Sequence, residues 1–375
     1  MELSTSCGCI AVRLVGRCGG GPVAACPRVR ARALLAWLEK PDITCASGAA
    51  GPRRHHLSAS RTCQLACDVA CNQARHSHAQ AFRTTPVMAS AAHWKNWIYR
   101  TERRHWHAFW CRWSPDGEIT TQFKAERIFE PLESGDGCRM QVVYHYGDER
   151  GTVSEGPTSG PWTMTAEECA TEAGIMHPSS KQMTTLVLPG GPGAWCFPDA
   201  KVGQPCAVEL FLHHGESLRM SAGITHAPDG SLKQLALIRE DTRGWPSAGW
   251  SESVAARAVE SAAACLAALG LAAAPAGGGR GHSILAAGLQ QETLAGVAWG
   301  RSLLGQADEG YFFMVCDNDR VAIVGRRQRE PGAPFGSAAV WRPEGGSALY
   351  CVEAWWEADG PLREVRHLVW GEEEQ

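Results

Sequence analysis

Acidic residues are almost missing from the leading stretch of the chain: only Glu2, Glu39, Asp42 and Asp68 precede residue 90. The same stretch carries arginines from Arg13 to Arg83, with Ala, Ser, Cys and Gly between them. An Arg-rich, acid-poor, Ala/Ser-rich leader is the signature of an organelle transit peptide. A secretory signal fits less well, because the apolar run Ile10–Val15 is short and Arg13 interrupts it. Val87-Met88-Ala89 has the small-residue character of a processing site. The bland alternatives are a disordered extension of no consequence or a misassigned start. Residues 1–89 are therefore expected to be a disordered leader.

Other absences narrow the function. The 375 residues carry a net charge of only −3, so there is no electrostatic footprint for nucleic acid or an anionic membrane. Of the 16 cysteines, those from Cys111 to Cys351 are scattered, with no C-x-x-C pair. That excludes a zinc-ribbon spacing and fits buried or free thiols in a reducing compartment. Cys63, Cys67 and Cys71 recur at helical spacing, with His76 and His78 beyond, but a removed leader is the more economical reading. The one long apolar run, Val254–Ala274, is mostly Ala and is interrupted by Arg257 and Glu260, so no membrane span is expected. No Gly-x-Ser-x-Gly elbow appears. Pro189–Gly193 lacks the Lys-Ser/Thr and the following helix of a phosphate loop, and reads as a strand-to-strand corner. Asp317 and Asp319 lack the Gly and distal Glu of a calcium loop. No nucleophile–base pair is visible, so neither an enzyme nor a cofactor site is expected.

What is present is strand and turn chemistry. In Arg104–Ile128, Trp106, Ala108 and Trp110 fall on one face and His107, Phe109, Cys111 and Trp113 on the other. Ser114-Pro115-Asp116-Gly117 fits a type I turn position by position. Asp136-Gly137 and Pro228-Asp229-Gly230 mark further hairpins. Trp94, Trp97 and Ile98 fall at i, i+3 and i+4, which predicts a short amphipathic helix lidding the core over His93–Arg103. Gly147–Pro161 reads as a polar loop, and Thr165 to Glu168 as a capping box opening a short helix that ends near Gly174. About eight strands joined by short turns in Trp106–Asp241 favour an up-and-down barrel. Strand patterns return from His282 to Trp370 and predict a second, smaller β domain. The expected organisation is a first barrel over 90–245, an Ala-rich helix and Gly-rich linker over 246–281, and a second barrel over 282–375.

Three phrases carry a resemblance: WHAFWCRWSPDGEI, LVLPGGPGAWC and LRMSAGITHAPDGSLKQLALIRED. They resemble a chloroplast and cyanobacterial family, once known only as a domain of unknown function, that includes the biogenesis factor required for chloroplast ATP synthase. The resemblance implies an all-β fold of two tandem antiparallel lipocalin-like (calycin) barrels. It implies a non-enzymatic assembly factor for the F1 sector, binding its β and γ subunits in the chloroplast stroma. A lipocalin-like carrier of a small apolar ligand or a bilin is the alternative. Calycin barrels commonly set a first-strand Trp beside a last-strand Arg, so the resemblance places Trp106 with Arg239 and Trp299 with Arg366 as barrel closures.

Two further expectations concern surfaces. Trp355 and Trp356 are adjacent on one strand and face opposite ways, which makes that strand a candidate partner contact. His105 and His107 share a strand face, as a metal site would need, but no third ligand presents itself, so they read as barrel-wall residues. His213 and His214 lie on opposite faces and do not chelate one ion together.

Overall fold

The computed structural model describes residues 86–101, 104–147 and 153–371. The leader lies outside the described residues, except that Val87-Met88-Ala89 falls at the start of helix α1 (Pro86–Thr101). Helix α1 buries Trp94 and Trp97, stacked with ring centroids 4.8 Å apart, against the mouth of the first barrel.

The first sheet has eleven antiparallel strands. They are β1 (His105–Trp113), β2 (Ile119–Pro131), β3 (Gly137–Gly147), β4 (Val153–Thr165), β5 (Ala170–Thr171) and β6 (Gly174–His177), then β7 (Ser180–Val187), β8 (Gly193–Cys196), β9 (Cys206–His214), β10 (Leu218–His226) and β11 (Leu232–Asp241). Apart from β4 and β5, each pairs with its neighbour in sequence, and β1 also pairs with β11, which curls the sheet into a nearly closed barrel. The gap lies between β4 and β5, where one turn of helix, α2 (Ala166–Cys169), intervenes. Thr165 caps it, accepting from the Glu168 N–H.

The second sheet has eight strands: β12 (Ala256–Val259), β13 (Gly279–Leu285), β14 (Gln290–Val297), β15 (Tyr311–Cys316), β16 (Val321–Arg326), β17 (Phe335–Trp341), β18 (Leu349–Trp356) and β19 (Leu362–Trp370). Their order is β12-β15-β16-β17-β18-β19-β13-β14, again all antiparallel. Helices α3 (Ala262–Ala268) and α4 (Leu303–Gln306) pack on its inner face. The protein is thus mainly β, two antiparallel barrel-like sheets in tandem, the second with β12 and β14 at its two ends.

Several local expectations are corrected. Gly147–Pro161 is largely strand β4, held by pairing to β3 with two register shifts rather than by an apolar alternation of its own. The 246–281 segment is no free linker. Its β12 pairs with β15 and its end opens β13, while the Ala-rich helix shrinks to the two turns of α3.

Alternation decides what each face meets. One face of β1 puts Trp106 and Ala108 inside the first barrel, and the other sends Cys111 and Trp113 towards the second barrel. The largest core joins the outer faces of the two barrels: Leu210, Met220 and Leu237 from the first lie in one cluster with Met314, Trp341 and Val352 from the second. Each fully buried Leu, Val or Met stabilises by about 1.5–3 kcal/mol, so this seam is a main source of stability. Polar ties reinforce it. Trp356 Nε1 donates to the Phe197 carbonyl at 3.0 Å, and Trp113 Nε1 to the Val254 carbonyl at 3.0 Å. Arg329 of the second barrel is buried and donates to the carbonyls of Ala200 and Gln204. Gly230 sits here with φ of 89°, and a Cβ would come within 2.4 Å of the Arg329 carbonyl, so the Asp229-Gly230 turn fits only as glycine.

Candidate functional site

The Pro189–Gly193 corner joins β7 to β8, with the Leu188 N–H donating to the Pro192 carbonyl at 2.8 Å. Gly191 takes φ of 99° and lies against the His213 ring. With the His213–Glu216 turn between β9 and β10, this corner makes one wall of a crevice of about 810 Å³. The facing wall comes from the second barrel: Arg280 and His282 of β13, Tyr350 of β18 and His367 of β19. Tyr99 of α1 forms the lip and is 52% exposed; its hydroxyl lies 3.5 Å from Glu216, which also pairs with Arg104.

Two of the imidazoles lining this crevice, those of His213 and His367, are disfavoured as cations. Burial, then the guanidiniums of Arg100, Arg219 and Arg104, hold His213 well below its ordinary value. Burial and the neighbouring His282 hold His367 down to about 3. His214 Nδ1 lies 3.3 Å from the Tyr350 hydroxyl. The crevice therefore presents hydrogen-bonding rings with the Arg280 guanidinium, a lining suited to a polar or anionic group.

Beneath His213 the first barrel is filled. Trp106 meets His213 edge-on at 5.9 Å, and the Arg219 guanidinium lies 4.5 Å from the Trp106 ring centroid. Arg219 Nη2 donates to Glu240 at 2.6 Å, and Arg127 lies 3.5 Å from both Glu209 and Glu240. Arg100 lies 3.5 Å from the Phe211 ring centroid. Glu240 is fully buried, yet Arg127 and Arg219 outweigh its desolvation and hold its pKa down. Trp106 Nε1, Arg219 Nη1 and Ser221 Oγ are buried without a hydrogen-bond partner among the described residues.

The residues expected at the barrel closures are placed differently. Arg239 does not meet Trp106; its guanidinium lies over Phe109 at 4.8 Å and pairs with Asp317 at 3.0 Å. Parity explains this. Phe109 is paired with Arg239 across β1 and β11, so Arg239 shares the outward face and Trp106 the inward one. Arg219 of β10 takes the position over Trp106. Trp299 lies not on a strand but in a 3₁₀ turn, Trp299–Arg301, packed on Trp370 at 4.9 Å, while Arg366 lies over Trp355 at 5.6 Å. Trp356 is fully buried in the seam, stacked on Phe335 at 4.7 Å, so it offers no contact surface. Trp355 is half-buried under Arg363 and Arg366.

The histidine pair of β1 also differs from expectation. Glu126 lies opposite His107 on β2 and completes a trio with His105, all three donor atoms within 4.8 Å of one another. A third ligand was invisible in sequence because it comes from the neighbouring strand. The charged lumen was hidden for a similar reason: Arg219 and Glu240 stand in apolar strands, and only the register of β10 on β11 brings them face to face.

Comparison with known proteins bears on the first barrel. Residues 90–245 match the N-terminal model of a family described as a domain of unknown function, DUF3598. Among solved structures, the chain is similar to a protein of unknown function of that family from Nostoc punctiforme. Identity is 13%, coverage is 74% of this chain and 97% of that one, and the TM-score is 0.46. It is also similar to the S-type phycobiliprotein lyase from Guillardia theta, at 9% identity, with 42% of this chain and 97% of that one covered and a TM-score of 0.24. No curated protein matches. Among the described residues, no helix is long and apolar enough to cross a membrane.

Proposed function

We propose that this is a non-enzymatic binding protein that works through its outer surface and the crevice between its barrels, as an assembly factor for the F1 sector of the chloroplast ATP synthase in the stroma. The β and γ subunits are its proposed partners. The observation that supports an outside surface is the filled first barrel: Trp106, Arg219 and Glu240 occupy the space an apolar ligand would need. The family match over 90–245 supports the kinship from which the partners are inferred. The contact surface moves from Trp355 and Trp356 to the crevice rim, where Tyr99, Arg280 and Glu216 offer an aromatic anchor within a charged border. The test is recovery of the tagged protein from plastid extract at low salt. Co-purification of β and γ subunits, weakened by Tyr99→Ala, supports the reading; recovery of neither subunit overturns it.

A second reading has one observation in its favour. The unpaired donors of Trp106, Arg219 and Ser221 lie under a crevice of about 810 Å³. A small ligand with a carboxylate, as a bilin has, would be received there rather than in an apolar lumen. Absorbance titration with a bilin decides it: a spectral shift abolished by His213→Ala favours a carrier, and no shift excludes one.

A further inference from the structure

Strand β1 projects His105 and His107 from its outward face two residues apart, and β2 sets Glu126 directly opposite His107. His105 and His107 lie ring against ring, with centroids 4.6 Å apart. His105 Nε2 is 2.6 Å from one oxygen of Glu126. All three donor atoms lie within 4.8 Å of one another. In a tetrahedral site with bonds near 2.0–2.1 Å, neighbouring donors are about 3.3 Å apart. The His105–Glu126 spacing is shorter than that value and no spacing among the three exceeds 4.8 Å, within reach of small side-chain rotations.

We propose that His105, His107 and Glu126 bind one divalent transition-metal ion, with zinc as the representative. Two imidazole nitrogens and one carboxylate oxygen select zinc, copper, nickel or cobalt over magnesium or calcium, which prefer all-oxygen sites. Three protein donors leave the fourth position to water.

Groups behind the donors are arranged as such a site requires. His107 Nδ1 faces the Asp241 carbonyl at 3.3 Å, which stabilises the tautomer whose Nε2 lone pair is free. His145 Nε2 lies 3.0 Å from the other oxygen of Glu126, steadying the carboxylate and leaving its first oxygen for the ion. His145 is a positioning residue, not a ligand. The Trp245 indole stands edge-on to His107 at 4.8 Å and to His145 at 5.4 Å, walling one side. The Lys124 ammonium lies over the Trp245 ring at 5.7 Å. The Asp241 carboxylate is engaged by Arg243 and Ser247 and takes no part. The inference is independent of the assembly role.

The experiment is a titration of the full chain with zinc and with cobalt(II), counting equivalents against a competing chromophoric chelator. The Cys and His residues of the leader can add equivalents of their own, so the readout is the difference between wild type and variants. Wild type is expected to bind one equivalent more than His107→Ala. Glu126→Gln, which keeps the shape, is expected to weaken that equivalent at least tenfold. His145→Ala is expected to weaken it 10–100-fold without abolishing it. The cobalt difference spectrum should show visible d–d bands without thiolate charge transfer in the near ultraviolet. Equal equivalents in folded wild type and folded His107→Ala, or a difference spectrum dominated by thiolate charge transfer, overturns the proposal.

Discussion

Arg239 of the first barrel and Asp317 of the second form an ion pair of 3.0 Å in which the two side chains are only 5% and 0% exposed. Asp317 holds this position from a left-handed backbone, φ 52°, at the head of the Asp317-Asn318-Asp319 turn. The same carboxylate oxygen accepts from the Ser251 N–H and hydroxyl, and the other pairs with Arg320. One side chain thus ties the second barrel to the end of the first and to the segment between them.

Replacing Asp317 by Ala strands Arg239 in the seam without a counter-ion. Removing one partner of a buried pair costs about 3–5 kcal/mol, so Asp317→Ala is expected to lower the unfolding free energy by that amount and the denaturation midpoint with it. Asp319→Ala breaks an exposed pair with Arg257 in the same turn and is expected to leave the midpoint nearly unchanged. Urea unfolding of both variants makes the comparison.

The lumen network predicts non-additivity. Glu240→Leu alone leaves Arg127, Arg219 and Arg100 facing only Glu209, at an expected cost of about 3–5 kcal/mol. Adding Arg219→Met removes the excess charge while keeping volume. The double variant is expected to be more stable than Glu240→Leu, and a double-mutant cycle by calorimetry checks it. Strict additivity would mean that the guanidiniums and carboxylates do not sense one another.

Acid sensitivity should come from buried histidines before carboxylates. Burial holds His93, His177 and His226 down to about 4, and His367 to about 3, from 6.5. The unfolded chain therefore binds more protons than the folded one across that window. Stability is complete above about pH 6.5 and is lost as pH falls towards 4. His93 Nε2 accepts from the Val187 N–H at 2.7 Å, so protonation also breaks that bond. Melting temperature should be flat above pH 6.5 and fall below it, and His93→Gln, which keeps an acceptor, should make the fall shallower.

The eight cysteines from Cys111 to Cys351 are buried and free. Burial pushes Cys111 and Cys206 up to about 11 and Cys138 and Cys265 up to about 12. Iodoacetamide at pH 8 should leave these positions unmodified in the native protein and label all of them in denaturant. Peptide mass spectrometry reads the difference; native labelling of Cys138 or Cys265 would contradict the packing described here.

Turn chemistry made much of the fold legible. Ser114 to Gly117 folds as its residues dictate: Gly117 adopts φ of 86° and the Ser114 hydroxyl accepts from the Asp116 and Glu118 N–H groups. The Trp94 and Trp97 spacing placed the lid helix, and the Pro189–Gly193 corner is the turn its composition implied. Legibility failed where pairing overrode composition. β4 has no apolar stripe, and β12 and β13 sit in Ala- and Gly-rich sequence, so only their neighbours make them strands. The sites failed for a related reason. His107 with Glu126, and Arg219 with Glu240, are contacts across strands, and cross-strand register is not written in any single segment.

The shared seam has a consequence for dissection. A stop codon after residue 245 would leave Leu210, Met220, Leu237 and their neighbours as an oily flank facing water. Such a half-molecule would dimerise or precipitate. A natural relative that keeps only the first cylinder must recolour that flank with polar residues or cover it with a second chain.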